Sequence, residues 1–490
     1  MGGPAMRNTL VFLALAVLAG CQLAPPHERP DSPTAVSYPE TAAPETTAAE
    51  NGALKNAADP ATQGAPAMDI GWRDFFADAR LQVFIQQALE HNRDLRVAVY
   101  RVEEARGLFR AQRADRFPTL GLGADAVRGR FQSGNTGAQG GSARGPVVES
   151  YSLDLNVSAF ELDFWGRVRN LSEAARAQYF ATIEAQRAFR LSLIRDVAST
   201  YLTLRETIER IELAEATVLS RREGLRIAKV RLDAGVTSAL DFSQAETLLS
   251  QAEVQLAILR LARAESENFL TVLAGGAVAE PLPQALTLAQ QSNPPALDAG
   301  LPSGLMVARP DIVAAEERLR AARANIGVAR AAFFPRVALT GSFGYASSEF
   351  DDLIRSGSET WSVGPTITLP IFDFGRNRGN LTVAQARENI AIAEYERTIQ
   401  VAFNEVADAL AGRRYLAEQV EVQRRNTDTL RRIVNLARLR YQEGVVNYIE
   451  VLDAERSLFD AEQAFIQARR AEVQNLVELY VALGGGQLEE

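Results

Sequence analysis

Proline breaks a helix interior, because it lacks the amide hydrogen and its ring collides with the preceding turn. This chain carries 20 prolines in 490 residues, yet none lies between Val147 and Glu280 and none follows Pro370. Runs of that length without a breaker permit very long helices. The hydrophobic spacing inside them is helical as well: Ile194, Val197, Tyr201, Leu204, Ile208 and Ile211 advance by steps of three and four. Leu249, Ala252, Leu256 and Leu259 do the same, as do Phe403, Val406 and Leu410. A period near 3.5 is that of coiled-coil packing. The pattern predicts helices over about 167–233, 238–273, 376–442 and 447–482. The first would reach roughly 100 Å at 1.5 Å per residue. A helix of that length does not fold back into a compact ball.

The chain also repeats itself. LDAGVTSALDFSQAE (232–246) and YQEGVVNYIEVLDAE (441–455) share a Gly-Val pair followed by small or polar residues and an acid, 209 positions apart. NRDLRVAVYRVEEARGLFRAQRADRFPTL (92–120) parallels RPDIVAAEERLRAARANIGVARAAFFPRVAL (309–339), and DFWGRVRN (163–170) parallels DFGRNRGN (373–380). The offset falls from 217 at Pro118 to 209 at Gly166, so the halves differ by about eight residues, assigned to the Gly- and Ser-rich stretch 128–147. Two repeats are expected, 70–280 and 309–486, joined by a linker at 281–308 and followed by a tail at 487–490.

Each repeat holds two runs of strict alternation, predicted as strands near 118–131, 148–160, 336–347 and 361–371. Tyr151, Leu153, Leu155, Val157 and Ala159 alternate with Ser152, Asp154, Asn156 and Ser158, and Trp361, Val363, Pro365, Ile367 and Leu369 alternate with Ser, Gly and Thr. Each run is about the 9–11 residues that a tilted strand needs to span a bilayer, although a soluble hairpin with one buried face alternates too. Strands in lipid must close into a barrel of about eight or more, because an open edge leaves amides unpaired in hydrocarbon. Four strands per chain therefore require an oligomer, a dimer or a trimer.

The N-terminus carries its own message. After Arg7, the apolar run Leu10 to Gly20 is too short to cross a membrane and has the form of a signal-peptide core, ending Leu18-Ala19-Gly20-Cys21. Residues 1–20 are read as a lipoprotein signal peptide and Cys21 as the lipidated residue; an ordinary secretory signal is the simpler alternative. Residues 21–69, rich in Pro, Ala, Thr and Glu, read as a lipidated cysteine and flexible tether. A net charge of −9 disfavours nucleic acid as a partner. Two histidines (His27, His91) and one cysteine leave little for metal binding or histidine-based catalysis, so no catalytic residue, cofactor or metal is expected.

Together, the lipobox, GWRDFFADARLQVFIQQALEHNRDL (71–95), the paired Phe-Pro strand starts, ELDFWGRVR (161–169), PIFDFGRNR (370–378) and the Gly-Val turns resemble the TolC family of bacterial outer-membrane efflux channels, in its OprM/NodT-type lipoprotein branch. The resemblance runs from Ile70 almost to the C-terminus. It implies a mainly α protein with a transmembrane β-barrel. In that fold a homotrimer closes a 12-stranded barrel in the outer-membrane lipid, continues as a long periplasmic α-helical barrel, and carries a mixed equatorial domain. It implies efflux of drugs or other small molecules, with a periplasmic adaptor and an inner-membrane, RND-type pump as partners, and a palmitate-bearing Cys21 as anchor. On this reading Gly235, Val236, Gly444 and Val445 are adaptor-docking tips, and Glu450, Asp453, Tyr441 and Asp241 contribute to the gate. The acids are equally what a helix N-terminus attracts through its dipole. Trp165, Trp361, Tyr151 and Tyr345 could form an interfacial aromatic belt or pack at the barrel–helix junction. A lipid-anchored coiled-coil tether and a channel for type I protein secretion are the competing functions.

Overall fold

The computed structural model describes residues 22–35, 37–38, 64–130, 147–279, 281–291, 295–298, 300 and 302–488; Cys21 lies outside them. Among the described residues, seven helices of 13 residues or more and four strands of 10 or more carry the fold. In chain order they are α1 (Ala79–His91), α2 (Arg93–Ala114), β1 (Leu120–Arg130), β2 (Val147–Glu161), α3 (Arg167–Asp233), α4 (Ala239–Leu273), α5 (Pro310–Ala331), β3 (Arg336–Ser347), β4 (Glu359–Thr368), α6 (Arg376–Gln442) and α7 (Tyr448–Ala482). Helices α2 and α5 each have 22 residues, α3 and α6 each 67, and α4 and α7 each 35. Both 67-residue helices and both 35-residue helices lie in the proline-free runs. Among the described residues no helix is long and apolar enough to cross a membrane.

The chain divides into two compact units. One contains Val102–Thr182, Ala315–Tyr395 and the N-terminal stretch to Pro30. Its centre is an antiparallel sheet in the order β1-β2-β3-β4. The register aligns Leu122, Leu155, Phe343 and Trp361 in one row across all four strands. Gly121, Asn156, Ser342 and Ser362 form the adjacent row on the opposite face. One face is therefore apolar and the other small and polar. The apolar row is not covered: Leu122 is 77% exposed, Leu155 46%, Phe343 57% and Trp361 75%. Leaving such side chains in water forgoes roughly 1.5–3 kcal/mol each relative to burial. Among the described residues, the two outer strands, β1 and β4, each have one edge with no partner strand.

A bulge lies between Val157 and Phe160 of β2, where Ala159 takes a φ of 52°. The extra residue resets the alternation. Phe160 pairs with Leu339 on the apolar face, while Glu161 falls opposite Ala338 on the polar face. There its carboxylate meets Arg167 at 2.6 Å and Arg336 at 2.6 Å. Trp165, beyond the strand, donates its indole N–H to the Pro335 carbonyl at 2.9 Å and stacks on Phe334 with ring centroids 4.6 Å apart. Of the four aromatic residues considered for a belt, Trp165 is thus a packing residue, whereas Trp361 stands on the exposed apolar face.

The other unit contains Asp31–Arg101, Ile183–Ala314 and Glu396–Glu490. A buried aspartate organises one part of it: Asp78 caps α1 by accepting from the amides of Arg80 and Leu81, and accepts as well from the Tyr201 hydroxyl (2.7 Å) and the Leu286 amide (3.0 Å). Tyr480 stacks on Phe75 with centroids 4.0 Å apart and donates its hydroxyl to the Ile70 carbonyl at 2.7 Å. The heptad positions Ile194, Val197, Tyr201, Leu204 and Ile211 are all buried. Farther along the long helices, Ile211, Ala214, Val218, Ala252, Leu256, Leu259 and Phe459 form one apolar cluster, and Val434, Ala437, Val451 and Ala454 another.

Candidate functional site at the two helical turns

The second unit carries both Gly-Val turns. Each ends its long helix in the same way. The amide of Gly235 donates to the Leu232 carbonyl and that of Val236 to the Arg231 carbonyl; the amides of Gly444 and Val445 do the same to Tyr441 and Arg440. This pair of bonds is the Schellman motif, which needs a left-handed residue after the helix. Gly235 has φ +72° and Gly444 φ +75°, conformations that a Cβ would strain. Val236 (64% exposed) and Val445 (67% exposed) stand out from the turns into solvent. The four residues expected at docking tips thus form two matched caps.

After the caps, the turns diverge. Ser238 caps α4 with a full capping box: its hydroxyl accepts from the Asp241 amide, and the Asp241 carboxylate accepts from the Ser238 amide. The Thr237 hydroxyl also donates to Asp241 at 2.7 Å, and chiefly this bond holds the carboxyl below the usual aspartate range. Asn447 occupies the cap of α7 without a side-chain hydrogen bond. Glu450, at the position equivalent to Asp241, instead accepts from Arg440 at 2.5 Å. Asp453 pairs one helical turn on with Arg456 at 3.1 Å and is largely exposed.

Tyr441 reaches across to the other hairpin. Its hydroxyl accepts a short hydrogen bond from the Arg231 guanidinium, whose central carbon also lies 4.7 Å from the centre of the Tyr441 ring. Tyr448 packs against Tyr441 with centroids 4.9 Å apart and sits close over Gly224, where a Cβ would fall 2.7 Å from its hydroxyl oxygen. Burial pushes the Tyr448 phenol up to about 12. The second turn therefore gathers Arg231, Tyr441, Tyr448, Arg440 and Glu450, whereas Asp241 is engaged within its own cap. The arginines were not among the sequence-selected residues. Their signal was available: Arg231 and Arg440 occupy equivalent positions in the two copies.

Such a constellation has no nucleophile–base pair, and among the described residues no group of three or more His, Cys, Asp or Glu is arranged to hold a metal. What it can do is join or release neighbouring helices through charged and aromatic contacts. The chain that carries it matches a known family. The family model described as outer membrane efflux protein matches residues 84–276 and 301–485. The solvent efflux pump outer membrane protein SrpC of Pseudomonas putida is 41% identical over 479 residues, 98% of each chain. Outer membrane protein OprJ of Pseudomonas aeruginosa is 40% identical over 493 residues, 99% of this chain and 97% of that one. The crystal structure of the open state of the MtrE outer membrane channel of Neisseria gonorrhoeae superposes with a TM-score of 0.83 at 37% identity, covering 95% of this chain and 99% of that one. These matches define the class as transport proteins of the outer membrane. The chain belongs to the outer membrane efflux protein family.

Proposed function

We propose that this protein is the outer-membrane duct of a tripartite efflux system that exports small, largely apolar molecules. The observation that carries the reading is the four-stranded sheet, whose apolar face lies uncovered and whose two edges are unpaired. Lipid suits the face, and strands of further copies satisfy the edges. Three copies would close a 12-stranded barrel, with the polar face of Asn156, Ser342 and Ser362 turned to the lumen. Equal helix lengths of 22, 67 and 35 residues on either side of each strand pair support duplication of one unit, with repeats at 70–280 and 309–486.

On this reading the two Gly-Val turns lie at the periplasmic tip. Gly235, Val236, Gly444 and Val445 meet an adaptor, an inner-membrane RND-type pump supplies the energy, and Cys21 carries the lipid anchor. The gate belongs to the second turn: Tyr441 and Glu450 tie α6 and α7 to their neighbours, and Asp453 presents a carboxylate that threefold symmetry would repeat as a ring. Relatives named for toluene, solvent and antibiotic efflux suggest the substrate range. Deleting the gene and testing a panel of organic solvents, antibiotics, dyes and metals, with planar-bilayer recordings of the purified protein, tests the proposal. Unchanged sensitivities together with a protein that never conducts would sink it and favour a tether.

A further inference from the structure

The unit that holds the sheet also contains a cavity of about 620 Å³ that the transport reading does not use. The start of α3 forms one wall, with Arg169 and Arg176 seven residues apart on one helical face. Helix α5 forms the opposite wall, with Arg320 and Arg323. The N-terminal strap from Gln22 to His27 makes the third. The strap is firmly attached: Arg330 donates to the Leu23 carbonyl at 2.9 Å, Arg323 to the Glu28 carbonyl at 2.5 Å, and His27 lies 3.0 Å from Glu316.

Four arginines line this cavity against two glutamates, Glu173 and Glu317. They are not equally engaged. Arg320 is held by Glu316 and Glu317, and Arg323 by Glu388. Arg176 approaches Glu173 only at 3.6 Å, and the guanidinium of Arg169 has no hydrogen bond or ion pair among the described residues. Between them lies a second anomaly. Asn170, also lining the cavity, is fully buried, yet among the described residues neither its amide nitrogen nor its amide oxygen has a hydrogen-bond partner. An unpaired buried amide forfeits its hydration without return and needs a reason. Gly327 makes room for it, since a Cβ there would lie 2.4 Å from the Asn170 nitrogen.

We propose that this cavity binds a phosphate-bearing anion, carried on the headgroup of an anionic glycerophospholipid. Arg169 and Arg176 supply charge-assisted donors to the phosphate oxygens, in the forked geometry that suits arginine. Asn170, in the same wall, brings an amide whose hydrogen-bonding capacity is unspent. Ala24, Pro25, Pro26, Ala177 and Phe180 give the apolar surface that the glycerol end would cover. The lipid source is favoured over a free anion by position: Asn170 follows Glu161, the last residue of a strand in the exposed-faced sheet, by nine residues. Basic pockets next to membrane-spanning segments bind anionic headgroups in this manner. The inference rests on the outer-membrane location of the family, and does not depend on how the channel gates.

The test is native mass spectrometry of the full-length protein in detergent, titrated with phosphatidylglycerol, phosphatidylethanolamine or inorganic phosphate. Wild-type protein is expected to retain phosphatidylglycerol, the Arg169→Gln/Arg176→Gln variant to bind it about tenfold more weakly, and the Arg169→Lys/Arg176→Lys variant, which keeps the charge without the fork, to recover only part of the loss. Equal retention by wild type and the Gln variant overturns the site. Displacement of the lipid by millimolar inorganic phosphate overturns the lipid source and leaves a free-anion site. If the Gln variant does not elute as the wild type does, Asn170→Asp replaces it, and unchanged phosphatidylglycerol binding by that near-isosteric anion again overturns the site. Conductance of the wild-type protein, measured separately, tests the channel reading alone.

Discussion

The two turns begin alike and end differently. Both close a 67-residue helix with a Schellman cap on a left-handed glycine, and both open a 35-residue helix with an acid at its third position. In the first, that acid completes a box with Ser238 and is consumed locally. In the second, the cap residue Asn447 leaves Glu450 uncommitted to the helix start, and it turns to Arg440 instead. The arginines diverge in parallel, Arg231 crossing to Tyr441 while Arg440 stays beside its own turn. Glu450 and Arg440 fasten the second hairpin to itself, while Arg231 of the first and Tyr441 of the second fasten the two hairpins to each other. A shared backbone thus carries different side-chain partners at the two turns.

This contrast can be broken in several ways. The largest effect is expected from Tyr441→Phe combined with Glu450→Gln, which removes the hydroxyl acceptor facing Arg231 and the charge facing Arg440. Single-channel conductance should rise severalfold, whereas Asp241→Asn should leave it near the wild-type value. A comparable rise from Asp241→Asn would erase the distinction. Next come Gly235→Ala and Gly444→Ala, each expected to strain its cap by about 1–3 kcal/mol. Hydrogen exchange at the flanking amides should accelerate equally in both; a marked inequality would mean that the caps are not equivalent.

A smaller difference is expected at the helix starts. Asp241→Asn should loosen the first turn of α4 by about 1 kcal/mol through loss of the box. Glu450→Gln should cost α7 only about 0.5 kcal/mol, as an exposed pair usually does. Exchange protection of the two first turns, compared in the same sample, separates these. The smallest effect concerns pH. Because folding lowers the Asp241 pKa, its contribution is fully present above the unfolded value and is lost as pH falls through the folded one. Protection at the start of α4 should therefore hold near neutrality and fade only below about pH 4. Loss already at pH 6 would show that Asp241 is not the acid responsible.

Much of the architecture was legible because it rests on local constraints. Missing prolines left α3 and α6 unbroken, and strict alternation sorted the residues of β2 and β4 by face. What escaped depends on neighbours. No spacing rule shows that Arg231 meets Tyr441, 210 positions away. The bulge before Phe160 was also hidden, because the alternation in Tyr151 to Ala159 continues on paper past the point where the backbone slips. The sequence puts Asp241 and Glu450 alike in the first turn of a helix and, from Tyr441, Glu450 and Asp453, makes the second turn the expected gate. The cap geometry gives the acids different partners, and that turns on whether Ser238 or Asn447 offers a side-chain acceptor to the helix-start amide.

The unpaired edges of β1 and β4 carry a genetic consequence. On the proposed barrel, in which copies complete one another's sheet, every copy is answerable for its neighbours, so a damaged allele should not be silent beside an intact one. Mixed assemblies would inherit the fault of their worst member. Co-expression of a strand-disrupting variant should therefore lower resistance in a strain that still makes normal protein, and the deficit should deepen as the proportion of the variant grows.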